Sequence, residues 1–313
     1  MRSNSGPARA HTPSAVEIPP SGDLALIAVA IGAVSTAAPL ITAAAAPTLA
    51  IAFWRNAFGS GAVVPFALLR SRGELKAMGR REWLLALGAG ALLAAHFGTW
   101  IPSLSFTTVA SATALTATQP VWAALIGRLR GESVPAGAWL GIVVAIAGAA
   151  MLTGADVVLS GHALIGDLLA VAGGIFGAAY VTAGSAVRRH VSTSAYTAIC
   201  YPVAALVLLA ACLSSPTELA GYDAATWLMI AAITAGPQLL GHSLFNRVLR
   251  RASATVVSLA MLLEVPGAAL IAALWLGEVP QPVAIPAVIL LLAGVALVVR
   301  SRGRQEATAS TDD

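Results

Sequence analysis

The stretch QPVWAALIGRLRGE, Gln119 to Glu132, returns 146 residues later as VPGAALIAALWLGE, Val265 to Glu278. Pro120 falls on Pro266, Gly131 on Gly277 and Glu132 on Glu278. In both copies the proline sits inside an apolar run rich in small residues, and Gly-Glu follows where that run ends. The same displacement carries Gly90 onto Gly236 and His96 onto His242. Further along it carries Ala147-Gly148 onto Ala293-Gly294 and Ala150 onto Ala296. One offset held over so long a stretch marks an internal duplication, and the rest of the chain reads as two halves built around it.

Composition fixes the environment of those halves. Of 313 residues, 58% are hydrophobic and 10% charged, far from the soluble norm of about half apolar and a quarter charged. The mean hydropathy is +0.83. Runs of about 20 apolar residues then mean a polytopic membrane protein, because that length crosses a hydrocarbon core ~30 Å thick. Ten spans are expected, at 24–44, 47–69, 83–103, 106–127, 136–154, 164–187, 193–214, 226–247, 252–276 and 282–300. The alternating pattern of barrel strands is absent, so the spans are helices. The expected fold is all-α: ten transmembrane helices as two five-helix repeats, residues 23–154 and 163–301. Residues 1–22 and 302–313 are polar and read as disordered cytosolic tails, the first of them without the compact signature of a leader peptide. Cys200 and Cys212 share one apolar run and imply no disulfide framework.

Seventeen of the 18 Lys and Arg residues fall in tails or in alternate loops on one side, including Arg70 to Arg81, Arg128, Arg188, Arg247 and Arg300. The opposite loops carry Asp156, Glu218, Asp223 and Glu278 and no Lys or Arg. The positive-inside rule places both termini in the cytoplasm of a plasma-membrane protein. This partition also speaks against nucleic acid as the partner of the +4 net charge. Five spans per half is an odd number, so the second half enters from the opposite face and the duplication is inverted. Such halves can exchange conformations and alternate access to a midplane site.

The duplicated piece from Gln119-Pro120 to Gly131-Glu132 thus has as its partner the run from Ala252-Ser253-Ala254-Thr255 through Leu263-Glu264-Val265-Pro266 to Leu276-Gly277-Glu278. With Trp54-Arg55 in span two, these resemble the ten-helix, two-EamA-repeat proteins of the drug/metabolite transporter superfamily over roughly residues 24–300. The resemblance implies secondary transport of small metabolites, amino acids among them, or of amphiphilic drugs, through a central cavity. It further implies coupling to protons or to an exchanged solute.

Polar groups at bilayer depth are the informative ones, since a charge at a helix centre costs roughly 2.5–3.5 kcal/mol on insertion scales. Arg55 stands inside span two, either as an anchor for an anion or carboxylate or as a structural partner of a carboxylate or helix end. Glu264 stands mid-span in span nine. It is the candidate proton carrier, or a protonated side chain bonded to a carbonyl freed by Pro266, or a direct partner of Arg55. His96, Trp100 and Ser103 share one helical face, and Gln238, His242 and Asn246 share another. These two stripes line a cavity or make interhelical hydrogen bonds. Gln119, with Thr116 a turn earlier, lies at the helix break set by Pro120, and Glu264 at the one set by Pro266. Tyr201 falls on Arg55 under the repeat offset.

No zinc or metalloprotease spacing and no Walker A motif is present, so no metal or other cofactor is expected, and gradient-driven transport is expected over catalysis. The partners are then a small-molecule substrate and the lipid bilayer, with a homo-oligomer compatible. Efflux is the expected direction. The alternatives are a non-transporting membrane scaffold and an intramembrane enzyme using His96, His242 and Glu264.

Overall fold

The structure is a computed structural model describing residues 21–248 and 254–309, and every regular element among them is helical. In chain order the first half contains α1 (Ser21–Ser35), α2 (Ala37–Ala43), α3 (Thr48–Arg70), α4 (Arg72–Ala77), α5 (Arg80–Ser103), α6 (Val109–Thr116), α7 (Gln119–Leu129) and α8 (Ala136–Leu159). The second contains α9 (Ala163–Val187), α10 (Thr193–Leu213), α11 (Ala224–Ile233), α12 (His242–Val248), α13 (Ala254–Met261), α14 (Glu264–Ile271) and α15 (Ala284–Ala309). A π-helical segment, Thr234–Gly241, joins α11 to α12, and a second, Ala272–Leu276, ends α14.

Nine helical stretches among the described residues are long and apolar enough to cross a membrane. The tenth expected crossing is α3. Its 23 residues reach about 35 Å at 1.5 Å per residue, and Arg55 and Asn56 dilute its apolarity below that of the others. One boundary needs correction. Residues 302–309, expected to belong to a disordered tail, continue α15 as helix. Arg302 pairs with Glu132 at 3.1 Å, Gln305 bonds Ser133, and Ser301 packs on Gly137, so contacts with the other half hold a segment whose polarity alone suggested a tail.

Helix starts follow local chemistry. Thr108 accepts from the Ser111 amide at 3.1 Å, Ser192 from Ala195 at 3.3 Å, and Asp223 from Thr226 at 2.8 Å, each satisfying an N–H that helix geometry leaves without a partner. Hydrogen bonds from Thr226 hold the Asp223 carboxyl below its usual range. Large apolar side chains such as Leu69, Leu129, Leu228 and Leu274 point outward, whereas the interior is rich in alanine and glycine. That arrangement suits a lipid solvent, where small residues let helices approach.

Repeat-equivalent spans pair with each other: α3 with α10, α6 with α14, and α8 with α15. The last pair is the tightest. A Cβ added at Gly294 would stand 2.3 Å from the Ala145 nitrogen, and one at Gly148 would stand 2.4 Å from that of Leu291. Only glycine permits this backbone-on-backbone crossing.

The two membrane faces differ. On the face bearing Asp156, Asp223 and Glu278, α2, α6, α11 and α14 close on one another, and all eight residues of α6 are buried. Trp54, Phe58, Tyr222 and Trp227 form an aromatic seal there, with the Trp54 Nε1 donating to Leu219 O at 2.8 Å. On the basic face α7 packs on α9, and α12 packs on α1.

Candidate functional site

Arg55 is the centre of the polar interior. It is 2% exposed, and its Nε donates to Gln238 Oε1 at 3.0 Å. Its guanidinium lies 4.2 Å over the Phe97 ring and 5.9 Å from that of Trp100. An aromatic face attracts a cation electrostatically, and a desolvated cation most of all. Gln238 reaches Arg55 from the π-helical segment, beside Pro237, where the wider turn re-aims side chains relative to an α-helix. Gly59, one turn after Arg55, makes room for the pair. A Cβ at Gly59 would stand 2.4 Å from Gln238 Nε2 and 3.2 Å from the Tyr201 ring.

The other wall comes from α5. His96 Nδ1 donates to Gly173 O at 2.8 Å, and its ring stacks on Trp100 at 5.9 Å. The approach of α9 that allows this bond depends on small residues. A Cβ at Gly177 would stand 2.7 Å from Gln119 Oε1 and 3.0 Å from His96 Nδ1, which also places Gln119 and His96 side by side. Ser103, the third member of the expected stripe, instead returns its hydroxyl to Trp100 O at 2.6 Å.

The proline breaks fall where the chain leaves the helix ahead of each proline. Span four parts at Ala117–Thr118 and span nine at Leu262–Leu263, which puts Pro120 and Pro266 in the first turns of α7 and α14. Proline is tolerated there because its missing N–H has no helical partner to lose. Gln119 and Glu264 are consequently the first residues of two half-helices whose N-terminal dipoles end at mid-membrane depth. Glu264 is half-buried, lies within electrostatic range of Arg55, and forms no direct ion pair with it within 4 Å among the described residues. The direct pairing considered from sequence is therefore not made. His242 also lies within electrostatic range of Arg55 and yet is exposed. Asn246 follows on α12, with its side chain outside the described residues.

Three buried donors around Arg55, namely Arg55 Nη1, Gln238 Nε2 and Trp100 Nε1, have no hydrogen-bond partner, and one buried acceptor beside it, Asn56 Oδ1, has none either. An unsatisfied buried polar group costs about 1–3 kcal/mol, more when charged, and donors outnumber acceptors among the groups left open around Arg55. The arrangement can hold a carboxylate or similar anion against an aromatic wall.

A model of the EamA-like transporter family matches residues 21–154 and again 164–300. The chain belongs to the EamA-like transporter family. A solved crystal structure resembles it at 19% identity with a TM-score of 0.62, covering 89% of this chain and 97% of that one, which supports the shared fold. No curated protein matches. The protein is thus a multi-pass membrane transporter of the drug/metabolite type.

Within that frame the first EamA repeat supplies Arg55, His96, Trp100 and Gln119, and the second supplies Gln238, His242 and Glu264. Sequence reasoning gave Tyr201 little weight and missed Phe97 and Asn56. Tyr201 and Phe97 lie against Arg55 or its partner Gln238, and Asn56, fully buried, bonds Ala52 O through Nδ2. The repeat offset from Arg55 to Tyr201 was the signal available for the first. No spacing announces the other two, since a stacking partner depends on how α3 and α5 cross.

Proposed function

We propose that the protein is a secondary active exporter of small amino-acid-like solutes, working by alternating access around Arg55. The observation that carries this reading is the set of three unpartnered donors, Arg55 Nη1, Gln238 Nε2 and Trp100 Nε1. A substrate carboxylate would accept from all three, and a charge-assisted bond to guanidinium is among the strongest available to it. An amphiphilic cation fits less well, because the Phe97 face that would attract it is already covered by Arg55. The basic face is taken as cytoplasmic on the positive-inside rule. With α7 packed on α9 and α12 on α1, this reading has the site load from the cytoplasm between them, past Gln119 and His242.

Glu264 supplies the coupling in this reading. The ammonium of an amino-acid-like solute, its carboxylate held by Arg55, competes with a proton for the Glu264 carboxylate. Loading then releases a proton to the cytoplasm, and a proton arriving from the other side releases the solute outward. Glu264→Gln should abolish accumulation driven by a pH gradient in inside-out vesicles while leaving counterflow at saturating substrate, with weakened apparent affinity because the ammonium loses its carboxylate. Loss of counterflow even at saturation would assign Glu264 to folding, and survival of pH-driven uptake would remove it from coupling. A scaffold would show no carboxylate-dependent flux in either assay.

A further inference from the structure

The two Gly-Glu corners have the same backbone and opposite surroundings. Gly131 and Gly277 are both left-handed, at φ 89° and 71°, a conformation that glycine adopts without steric cost. Each turns the chain so that the following glutamate points back toward the membrane. Beyond that the corners diverge. Glu278 Oε1 accepts from the Val109 amide at 2.5 Å, so a carboxylate of the second half caps α6 of the first. Under the repeat offset Val109 corresponds to Thr255, in the first turn of α13. Glu132 does not reach it, and is held by Arg302 at 3.1 Å. Thr255 packs on Gly303, the neighbour of Arg302, so the first turn of α13, equivalent to the turn that Glu278 caps in α6, lies beside the α15 segment that holds Glu132.

The residue equivalent to Arg302 is Asp156, and it changes the sign of the interaction. Asp156 is 2% exposed, its Oδ2 has no partner, and with Glu278, Thr107 and Ser160 it lines a cavity of about 210 Å³. From α9, Asp167 faces Asp156. The helices α6 and α14 add no charged group beside Glu278, nor does the membrane-embedded part of α15, and no Lys or Arg occurs in any loop of this face. Its further titratable base is His162, in the loop between the cavity residues Ser160 and Ala163, and His162→Gln should leave the pH response of this face unchanged. Burial pushes the Glu278 carboxyl above its ordinary value, the Val109 bond opposes that rise, and Asp156 adds to it.

We propose that Glu278 and Asp156 form a proton-operated latch that closes the acidic face, and that Glu132, released from Arg302, is the alternating latch of the basic face. Two carboxylates brought together without a cation cannot both stay ionised at low cost. A proton shared between them removes the repulsion while leaving an oxygen free to accept from Val109. The sign follows. The closed state binds this proton more tightly than the open one, so acidification on this face favours closure and rising pH favours opening. On the basic face Arg302 competes with the α13 N-terminus for Glu132, which holds that face open while this latch is closed.

Spin labels at Ser105→Cys and Gln281→Cys, both exposed sites on the acidic face, would report the gate in lipid nanodiscs without any substrate. In the otherwise unaltered chain the short distance should dominate at about pH 5 and give way to a longer one by about pH 8. Glu278→Gln, whose amide oxygen can still accept from Val109, should hold the short distance throughout, and Asp156→Asn should move the midpoint to higher pH. A distance insensitive to pH in the unaltered gate overturns the proposal, as does an undiminished pH response in Glu278→Gln. Arg302→Ala should increase the long-distance population at fixed pH, and no change there would overturn the basic-face latch. Because the readout is distance without substrate, it is independent of the reading of Arg55.

Discussion

His96 and His242 are equivalent by repeat, and the structure treats them differently. His96 is bonded to Gly173, stacked on Trp100, and fixed against α9. His242 is exposed and makes no hydrogen bond among the described residues. The cause lies in the helix opposite each. Aligning Gly22-Asp23-Leu24 with Gly166-Asp167-Leu168 places Val29 and Ala33 where span six has Gly173 and Gly177. Span eight meets span one through its own Gly241 instead, where a Cβ would stand 2.7 Å from Val34 Cγ1, so the close approach falls one residue before His242 and not on it. The wall built by α5 on α9 is thus held at its histidine, the wall built by α12 on α1 is not, and Arg55 to Gln238 is the bond across them.

Removing that bridge should have the largest effect. Arg55→Ala deletes hydrogen bonds to a charged group worth about 1.5–3 kcal/mol, so apparent affinity for a carboxylate solute should fall roughly 10- to 100-fold. Arg55→Lys should restore little of it, since a lysine cannot bond Gln238 and a carboxylate in a planar fork. Both are checked by transport kinetics in proteoliposomes.

Disturbing the wall held at its histidine comes next. Gly177→Ala puts a methyl against Gln119 and His96, and overpacking of this kind costs about 1–3 kcal/mol. A lowered unfolding temperature together with weaker substrate binding is expected. Ala33→Gly, at the equivalent place in span one, should leave binding nearly unchanged. Equal effects of the two would end the distinction between the walls.

The histidines themselves provide the smallest and sharpest comparison. His96→Ala should cost stability on the scale of one interhelical hydrogen bond, about 0.6 kcal/mol, plus its ring packing, while His242→Ala should leave the unfolding temperature within error. If His242→Ala slows turnover with stability unchanged, its wall is part of the moving path.

Much of this fold was legible because bilayer physics leaves few choices. Twenty-residue apolar runs, basic residues on one side and one offset determined the spans and their inversion. Arg55, Gln238, His96 and Trp100 stood out because polar groups are costly at depth, and the structure brings them together. What lay beyond the sequence was set by contacts between distant helices. The π-helical turn that presents Gln238 has no local signature, and Phe97 looks like any core aromatic until α3 lays Arg55 on it. The helical residues 302–309 look like a tail until Arg302 and Gln305 meet the other repeat.

The glycine crossing of α8 and α15 gives the molecule a fixed origin of coordinates. With Gly294 backbone against Ala145 and Gly148 against Leu291 there is no slack between these helices for a sliding motion to use. Labels at lipid-facing Val143 and Ile289, one on each helix, should keep a single separation in every state of the cycle. Displacements elsewhere can then be measured as absolute movements against that ruler.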